Sequence, residues 1–312
     1  MTSLGSRRRK GRAVDGILLL DKPAGITSNG ALQKVKHLFG AAKAGHTGSL
    51  DPIATGVLPI CFGEATKFSQ FLLDADKSYV ATLQLGQRTT TGDSEGEVVE
   101  ILPVPDCTDA EVDACLEGFR GQIEQIPSMY SAIKVDGQPL YKLARQGIEI
   151  ERKARTVMIK RLALVSREKR QWVVDVDCSK GTYIRSLAED IGAVLGCGAH
   201  VTALRRHRAG PFGLAEALTM EELAAIKEEK GSQGIDQMLQ SVSSAVEEYP
   251  SITMTALTAG YFLQGQPVQV SGTAPRGLMA VFRETANESV FAGVGEILDD
   301  GRIAPKRLVA VH

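Results

Sequence analysis

The tightest constraint on this chain lies in the stretch Gly45-His46-Thr47-Gly48-Ser49-Leu50-Asp51-Pro52-Ile53-Ala54-Thr55-Gly56-Val57-Leu58-Pro59-Ile60. It sets one carboxylate, Asp51, in a glycine-punctuated turn shortly after a histidine. Glycine adopts backbone conformations closed to other residues, so such a turn can bring main chain close to a ligand. Asp51-Pro52 by itself also reads as a helix start, with Asp as N-cap and Pro at the first helical position. The two readings are compatible.

Around this turn the sequence mixes strands and helices. Gly16 to Leu20 reads as a short buried strand. Asn29 to Phe39 places Ala31, Leu32, Val35, Leu38 and Phe39 on one helical face, with Ser28 as its cap. Tyr79 to Leu85 alternates Val80, Thr82 and Gln84 against Ala81, Leu83 and Leu85, as a strand does. Thr108 and Glu111 form a capping-box pattern for a helix whose inner face is Val112, Cys115, Leu116 and Phe119. In Trp172 to Cys178 the residues Trp172, Val174, Val176 and Cys178 share one side. A helix with Ile184, Leu187, Ala188, Ile191 and Leu195 inward follows, ended by Gly196. No regular βαβ alternation appears, which predicts an α+β fold on an antiparallel or mixed sheet. Glu216 to Glu248 is acidic and largely helical in pattern, and Pro250 marks a boundary. Beyond it, short apolar runs (Pro267 to Val270, Leu278 to Phe282) separated by glycines predict a small β-rich module.

At 312 residues, two domains are the natural expectation. The formal charge of −1 hides asymmetry. Arg7, Arg8, Arg9, Lys10, Arg12, Lys22, Lys34, Lys36 and Lys43 face only Asp15 and Asp21 in the first forty-odd residues, and a second basic stretch runs from Lys142 to Arg170. Acidity gathers between Asp93 and Glu117 and between Glu216 and Glu248. A basic face with acidic flanks can attract RNA phosphates while the total stays near zero; each run alone also reads as an ordinary solvated surface. Cys61, Cys107, Cys115, Cys178 and Cys197 form no CxxC pair or disulfide framework, as expected of a reducing cytoplasm. Cys197 and His200 alone cannot complete a zinc site. The apolar run after the basic N-terminal segment is too short for a signal peptide, and no segment approaches the roughly 20 apolar residues of a membrane span.

The Gly45–Ile60 block resembles the active-site motif of the TruB family of pseudouridine synthases, and further segments follow in that family's order. These are Gly16-Ile17-Leu18-Leu19-Leu20-Asp21-Lys22-Pro23 with Gly25-Ile26-Thr27-Ser28, then Asp76-Lys77-Ser78-Tyr79, then Gln125-Ile126-Pro127-Ser128-Met129-Tyr130-Ser131-Ala132. Cys178-Ser179-Lys180-Gly181-Thr182-Tyr183-Ile184-Arg185 and Gly196 to Val201 leading into Leu204-Arg205-Arg206 complete the set. The likeness runs from about residue 15 to the C-terminus and is weakest after Gly210. It implies a pseudouridine synthase catalytic domain over 15–250 and a PUA-like RNA-binding domain over 251–312, while the basic run ahead of it, over 1–14, reads from its residues as a flexible arm.

The implied activity is conversion of uridine 55 in the T loop of tRNA to pseudouridine, by a cytoplasmic, monomeric enzyme without cofactor, metal or required protein partner. One ionised carboxylate is the minimum equipment for breaking the N1–C1′ bond and rejoining the base through C5. By resemblance Asp51 is that nucleophile and Arg185 its ion-pair partner. A bidentate arginine is the natural group to keep a buried aspartate ionised. Tyr79 would stack on the uracil and take part in proton transfer, Tyr183 and Leu204 would shape the base pocket, and His46 would fill the space left by the extruded nucleotide. From residue type alone, Tyr79 and Leu204 read as packing, His46 as a loop histidine and Arg185 as a structural ion pair. Two alternatives remain from the sequence: a guide-RNA-dependent synthase, and a mainly non-catalytic tRNA-folding chaperone or RNA-binding protein.

Overall fold

The computed structural model describes residues 11–131, 133–135, 137–270 and 276–310. Most of the basic arm, including Arg7 to Lys10, lies outside them, as does Ala132. The framework is a nine-stranded mixed sheet. Seven strands run across it in the spatial order Gly16–Lys22, Thr55–Phe62, Ala199–Ala209, Lys77–Leu85, Gln171–Cys178, Arg155–Arg167 and Gly121–Gln125. Every pairing along this path is antiparallel except that of Thr55–Phe62 with Ala199–Ala209, which is parallel. The expected α+β class with a mixed sheet is what forms.

The sheet is covered on both faces where the chain is most apolar. In the first strand Leu18 and Leu20 point into one core and Ile17 and Leu19 into another; in the second, Leu58 and Ile60 oppose Val57 and Cys61. Alternate side chains of a strand leave by opposite faces, so a pair buried on both sides reads as an unbroken hydrophobic run. The larger core receives helix Ser28–Phe39 through Ala31, Leu32, Val35 and Phe39, and helix Ile184–Val194 through Ile184, Leu187, Ala188 and Ile191. The capping box at Thr108 and Glu111 forms as expected, and Val112 and Leu116 carry the burial of helix Asp109–Glu117.

Three details of the sequence reading change. Thr27, not Ser28, caps the first helix, accepting from Gly30 N, and Ser28 lies inside it. No helix follows Asp51-Pro52; the chain bends there and enters strand Thr55–Phe62. Lys22 does not belong to a basic face, because it is fully buried.

The C-terminal module is a five-stranded sheet in the order Ser251–Met254, Gly277–Glu284, Ser289–Ile297, Arg302–Leu308 and Val268–Gln269. Helix Ala256–Leu263, which the sequence reading did not separate from the β pattern, covers it through Ala259 and Phe262. The module also shares a core with the large sheet. Ala280 and Val294 are buried with Ile17, Leu19, Val57 and Phe68, and the rings of Phe68 and Phe291 lie 5.3 Å apart. No helix among the described residues is long and apolar enough to cross a membrane.

Candidate active site

Asp51 sits in the loop between the short strand Ala44–His46 and strand Thr55–Phe62. The loop is pinned from several sides. The Ser28 hydroxyl accepts from Leu50 N at 2.7 Å and donates to Leu50 O at 2.9 Å, which is the work its place inside the helix leaves it free to do. Pro52 O accepts from Gly25 N at 2.8 Å, and Ala54 N donates to Asp51 O at 3.0 Å. The Lys22 ammonium, buried beneath the turn, donates to Pro23 O and Ile26 O at 2.8 Å each and to Pro52 O at 3.4 Å. Gly56, with φ +103°, closes the loop against the neighbouring strand, where a Cβ would stand 2.1 Å from Arg206 O; no other residue fits there.

Arg185 enters from the first turn of helix Ile184–Val194. A cation is disfavoured at that end of the helix dipole and, being buried, must be met by acceptors. It is. Arg185 Nε stands 3.0 Å from Asp51 Oδ2 and Nη1 stands 3.3 Å from Asp93 Oδ2. Nη1 also donates to Thr91 O at 2.9 Å and Nη2 to Tyr130 O at 3.1 Å. The pairing with Asp51 is therefore through one nitrogen, not the bidentate fork expected, because the guanidinium is shared with a second carboxylate. Asp93 is buried and held in turn by the Thr91 hydroxyl at 2.6 Å and Glu95 N at 3.0 Å.

Asp51 itself is less enclosed than expected, with 37% of its side chain exposed, so Arg185 meets one oxygen while part of the side chain stays open to solvent. Desolvation pushes its carboxyl above the ordinary aspartate value; Arg185 opposes this, Asp93 adds to it and Lys22 opposes it. Burial brings the Lys22 ammonium down to about 8. Glu95 is raised by burial and then by the charges of Asp93 and Asp51.

The other expected residues surround this centre to different degrees. Tyr79 is buried in strand Lys77–Leu85, opposite Val176 on one side and Arg206 on the other. Its phenol is raised by burial and pulled back by Arg206, and it feels the charge of Asp51. Tyr183 precedes Arg185; its backbone exchanges hydrogen bonds with the Gln125 side chain at 3.0 and 3.2 Å. Burial raises its phenol. Leu204 is buried in the larger core together with Leu50 and Tyr79. His46 is half-buried at the end of its strand, its imidazole lowered by burial and by Arg206, and its buried Nδ1 has no hydrogen-bond partner among the described residues. No hydrogen bond or ion pair joins His46 to Asp51 among the described residues.

Sequence reasoning missed Asp93, Lys22, Glu95 and Arg206 as parts of this centre. Asp93 was legible only as a carboxylate in a second glycine-bracketed turn, Thr91-Gly92-Asp93-Ser94-Glu95-Gly96, within a run counted as surface acidity. Chemically, the arrangement offers an accessible carboxylate with one oxygen fixed by a guanidinium, beside buried aromatic and aliphatic surface. That suits nucleophilic attack on a flat ligand.

Comparison with known proteins gives a consistent result. Residues 36–184 match the TruB family pseudouridylate synthase (N terminal domain), residues 185–247 the tRNA pseudouridylate synthase B C-terminal domain, and residues 250–309 the C-terminal domain of pseudouridine synthase II TruB. A tRNA pseudouridine synthase B of Ectopseudomonas mendocina (strain ymp) is 58% identical over 302 residues, covering 97% of each chain. Its counterpart in Pseudomonas fluorescens (strain Pf0-1) is 54% identical over 97% of this chain and 98% of the relative. Among solved structures, a chain of a Cbf5-Nop10-Gar1 complex superposes with a TM-score of 0.74 at 26% identity, covering 95% of this chain and 85% of that one. A chain of an H/ACA RNP bound to a substrate RNA containing 2′-deoxyuridine shares the fold, with a TM-score of 0.72 at 24% identity over 98% and 92% of the two chains.

Proposed function

The chain belongs to the TruB family of tRNA pseudouridine synthases, and we propose that within it this protein isomerises uridine 55 of the tRNA T loop with Asp51 as nucleophile. The observation that carries the assignment of Asp51 is its 3.0 Å ion pair with Arg185, which meets one carboxylate oxygen while 37% of the side chain stays exposed. Ionised Asp51 attacks the sugar or the base, the N1–C1′ bond breaks, the uracil turns and C5 bonds to C1′. The C5 proton leaves and N1 gains one, so the product is an isomer and the carboxylate is regenerated. Tyr79 stacks on the base, Leu204 and Tyr183 wall it, and His46 occupies the space the nucleotide leaves in the loop.

In this reading the enzyme acts alone, as a monomer in the cytoplasm, on the folded T stem-loop. Residues 15–250 carry the chemistry and 251–312 grip RNA backbone farther along. The 58% identity to a tRNA pseudouridine synthase B, against 26% to the chain of the Cbf5-Nop10-Gar1 complex, supports the stand-alone reading over the guide-dependent one. The intact Asp51–Arg185–Asp93 arrangement speaks against a purely non-catalytic chaperone. The test is incubation of purified protein with an unmodified tRNA transcript and mapping of pseudouridine at every position. Product at position 55 without added RNA or protein is expected. Product that depends on a guide RNA or partner, or that appears elsewhere, overturns the reading.

A further inference from the structure

Strand Ala199–Ala209 carries Arg205 and Arg206 side by side, and the two-residue period of a strand sends them to opposite faces. Arg205 goes to the surface and pairs with Asp21 at 2.7 Å. Arg206 goes inward and is 1% exposed, among the largest fully buried side chains of the protein. It forms no ion pair with a carboxylate among the described residues. Its Nε donates to Val57 O at 2.7 Å and its Nη2 to Gly48 O at 3.0 Å. Burying a cation against neutral acceptors alone is costly, so the position calls for a purpose beyond packing.

The two carbonyls supply one. Gly48 precedes Asp51 and Val57 follows it, so one planar guanidinium spans the two ends of the loop that presents the carboxylate. The backbone of Arg206 lies opposite Gly56 on one neighbouring strand and opposite Tyr79 on the other. A register shift between Arg206 and Arg208 breaks the regular pairing at this point.

We infer that Arg206 is a positioning residue for the isomerisation: its guanidinium clamps Gly48 and Val57 and so fixes the Asp51 loop relative to the Tyr79 ring. The inference rests on the reading of Asp51 as nucleophile. Lysine keeps the charge but has a single nitrogen at its tip and cannot reproduce a two-nitrogen span. Placing a reacting group about 1 Å off its position costs about 100-fold in rate without a matching loss of binding. The charge of Arg206 also reaches His46, which gives a second readout independent of turnover.

The experiment compares wild type, Arg206→Lys and Arg206→Met on an unmodified tRNA transcript, with enzyme in excess. Single-turnover rates are corrected for the folded fraction, tRNA affinity is measured separately, and His46 is titrated by NMR. Wild-type turnover on the same transcript checks the functional reading first, so failure of that reading is seen separately. Arg206→Lys should lose about 100-fold in rate with tRNA affinity within about threefold of wild type, and His46 should titrate as before. Arg206→Met should lose at least as much rate, and its His46 should titrate at higher pH. If Arg206→Met does not fold, the lysine variant carries the test. A lysine variant within about threefold of the wild-type rate overturns the clamp. So does a rate loss matched by lost folded fraction or lost tRNA affinity, or an unmoved His46 in a folded methionine variant.

Discussion

Replacing Arg185 by lysine tests the centre of the site most directly. In the wild type three guanidinium nitrogens meet four acceptors: Asp51, Asp93, Thr91 O and Tyr130 O. These acceptors come from three separate segments, Asp51 from one, Thr91 and Asp93 from a second and Tyr130 from a third, so one ammonium cannot satisfy them all. If it stays with Asp51, contact with Asp93 or a carbonyl is lost; if it settles on Asp93, Asp51 is released. A hydrogen bond to a charged group contributes about 1.5–3 kcal/mol, and a buried acceptor left unmet costs about 1–3 kcal/mol. Taking about 3–4 kcal/mol for one of each, and about 1.4 kcal/mol per tenfold in rate, Arg185→Lys should slow turnover by about 10²–10³-fold. Binding of tRNA should change little, since the preserved positive charge is buried and not on the surface. The assay is single-turnover pseudouridine formation at saturating enzyme, with affinity from filter binding and folding from circular dichroism. A folded Arg185→Lys variant within about tenfold of the wild-type rate would refute the reasoning, because a point charge would then do what the shared fork is held to do.

Asp51→Asn should abolish product while leaving tRNA affinity within a few-fold. Because desolvation raises the carboxyl, the folded chain binds this proton more tightly than the unfolded one, so ionised Asp51 lowers stability as pH rises from 3.8 through its folded value. Asp51→Asn should thus melt higher than wild type at pH 7, with the gap closing in acid; a lower melting point at pH 7 would count against the raised carboxyl. For the same reason the acid limb of turnover should lie above 3.8, with activity rising as pH increases. Lys22 is the opposite case: its folded value near 8 lies below the ordinary 10.5, so the folded chain binds fewer protons and wild type gains stability from pH 8 towards 10.5. Lys22→Met should lack that gain, as urea melts at pH 7 and pH 9 will show; equal gains in the two proteins would contradict it. Phe291→Ala, which removes a partly buried ring lying 5.3 Å from Phe68 and 5.5 Å from Phe282, should cost about 3 kcal/mol and lower a single unfolding transition. Two separate transitions would mean that the C-terminal sheet does not stabilise the catalytic core.

Local pattern determined much of this protein. Period-two alternation in Lys77–Leu85 and Gln171–Cys178, the inward face of Ile184–Val194 and the capping box at Thr108 are properties of short segments, and they stand in the structure as read. The turn around Asp51 and the resemblance that singles out Asp51, Arg185 and Tyr79 were likewise on the surface of the sequence, because their spacing is contiguous. What only the tertiary structure decided concerns partners far apart in the chain. Asp93 joins Arg185 across about ninety residues, and Arg206 reaches the loop of Asp51 from about 150 residues away. Lys22 and Arg206 look like surface charges by residue type, and only the strands around them bury them, since a side chain's burial depends on what packs over it and not on its own chemistry. The shared core of Ile17, Phe68 and Val294 is invisible for the same reason: each is an ordinary apolar residue in its own segment, and only the fold brings their faces together.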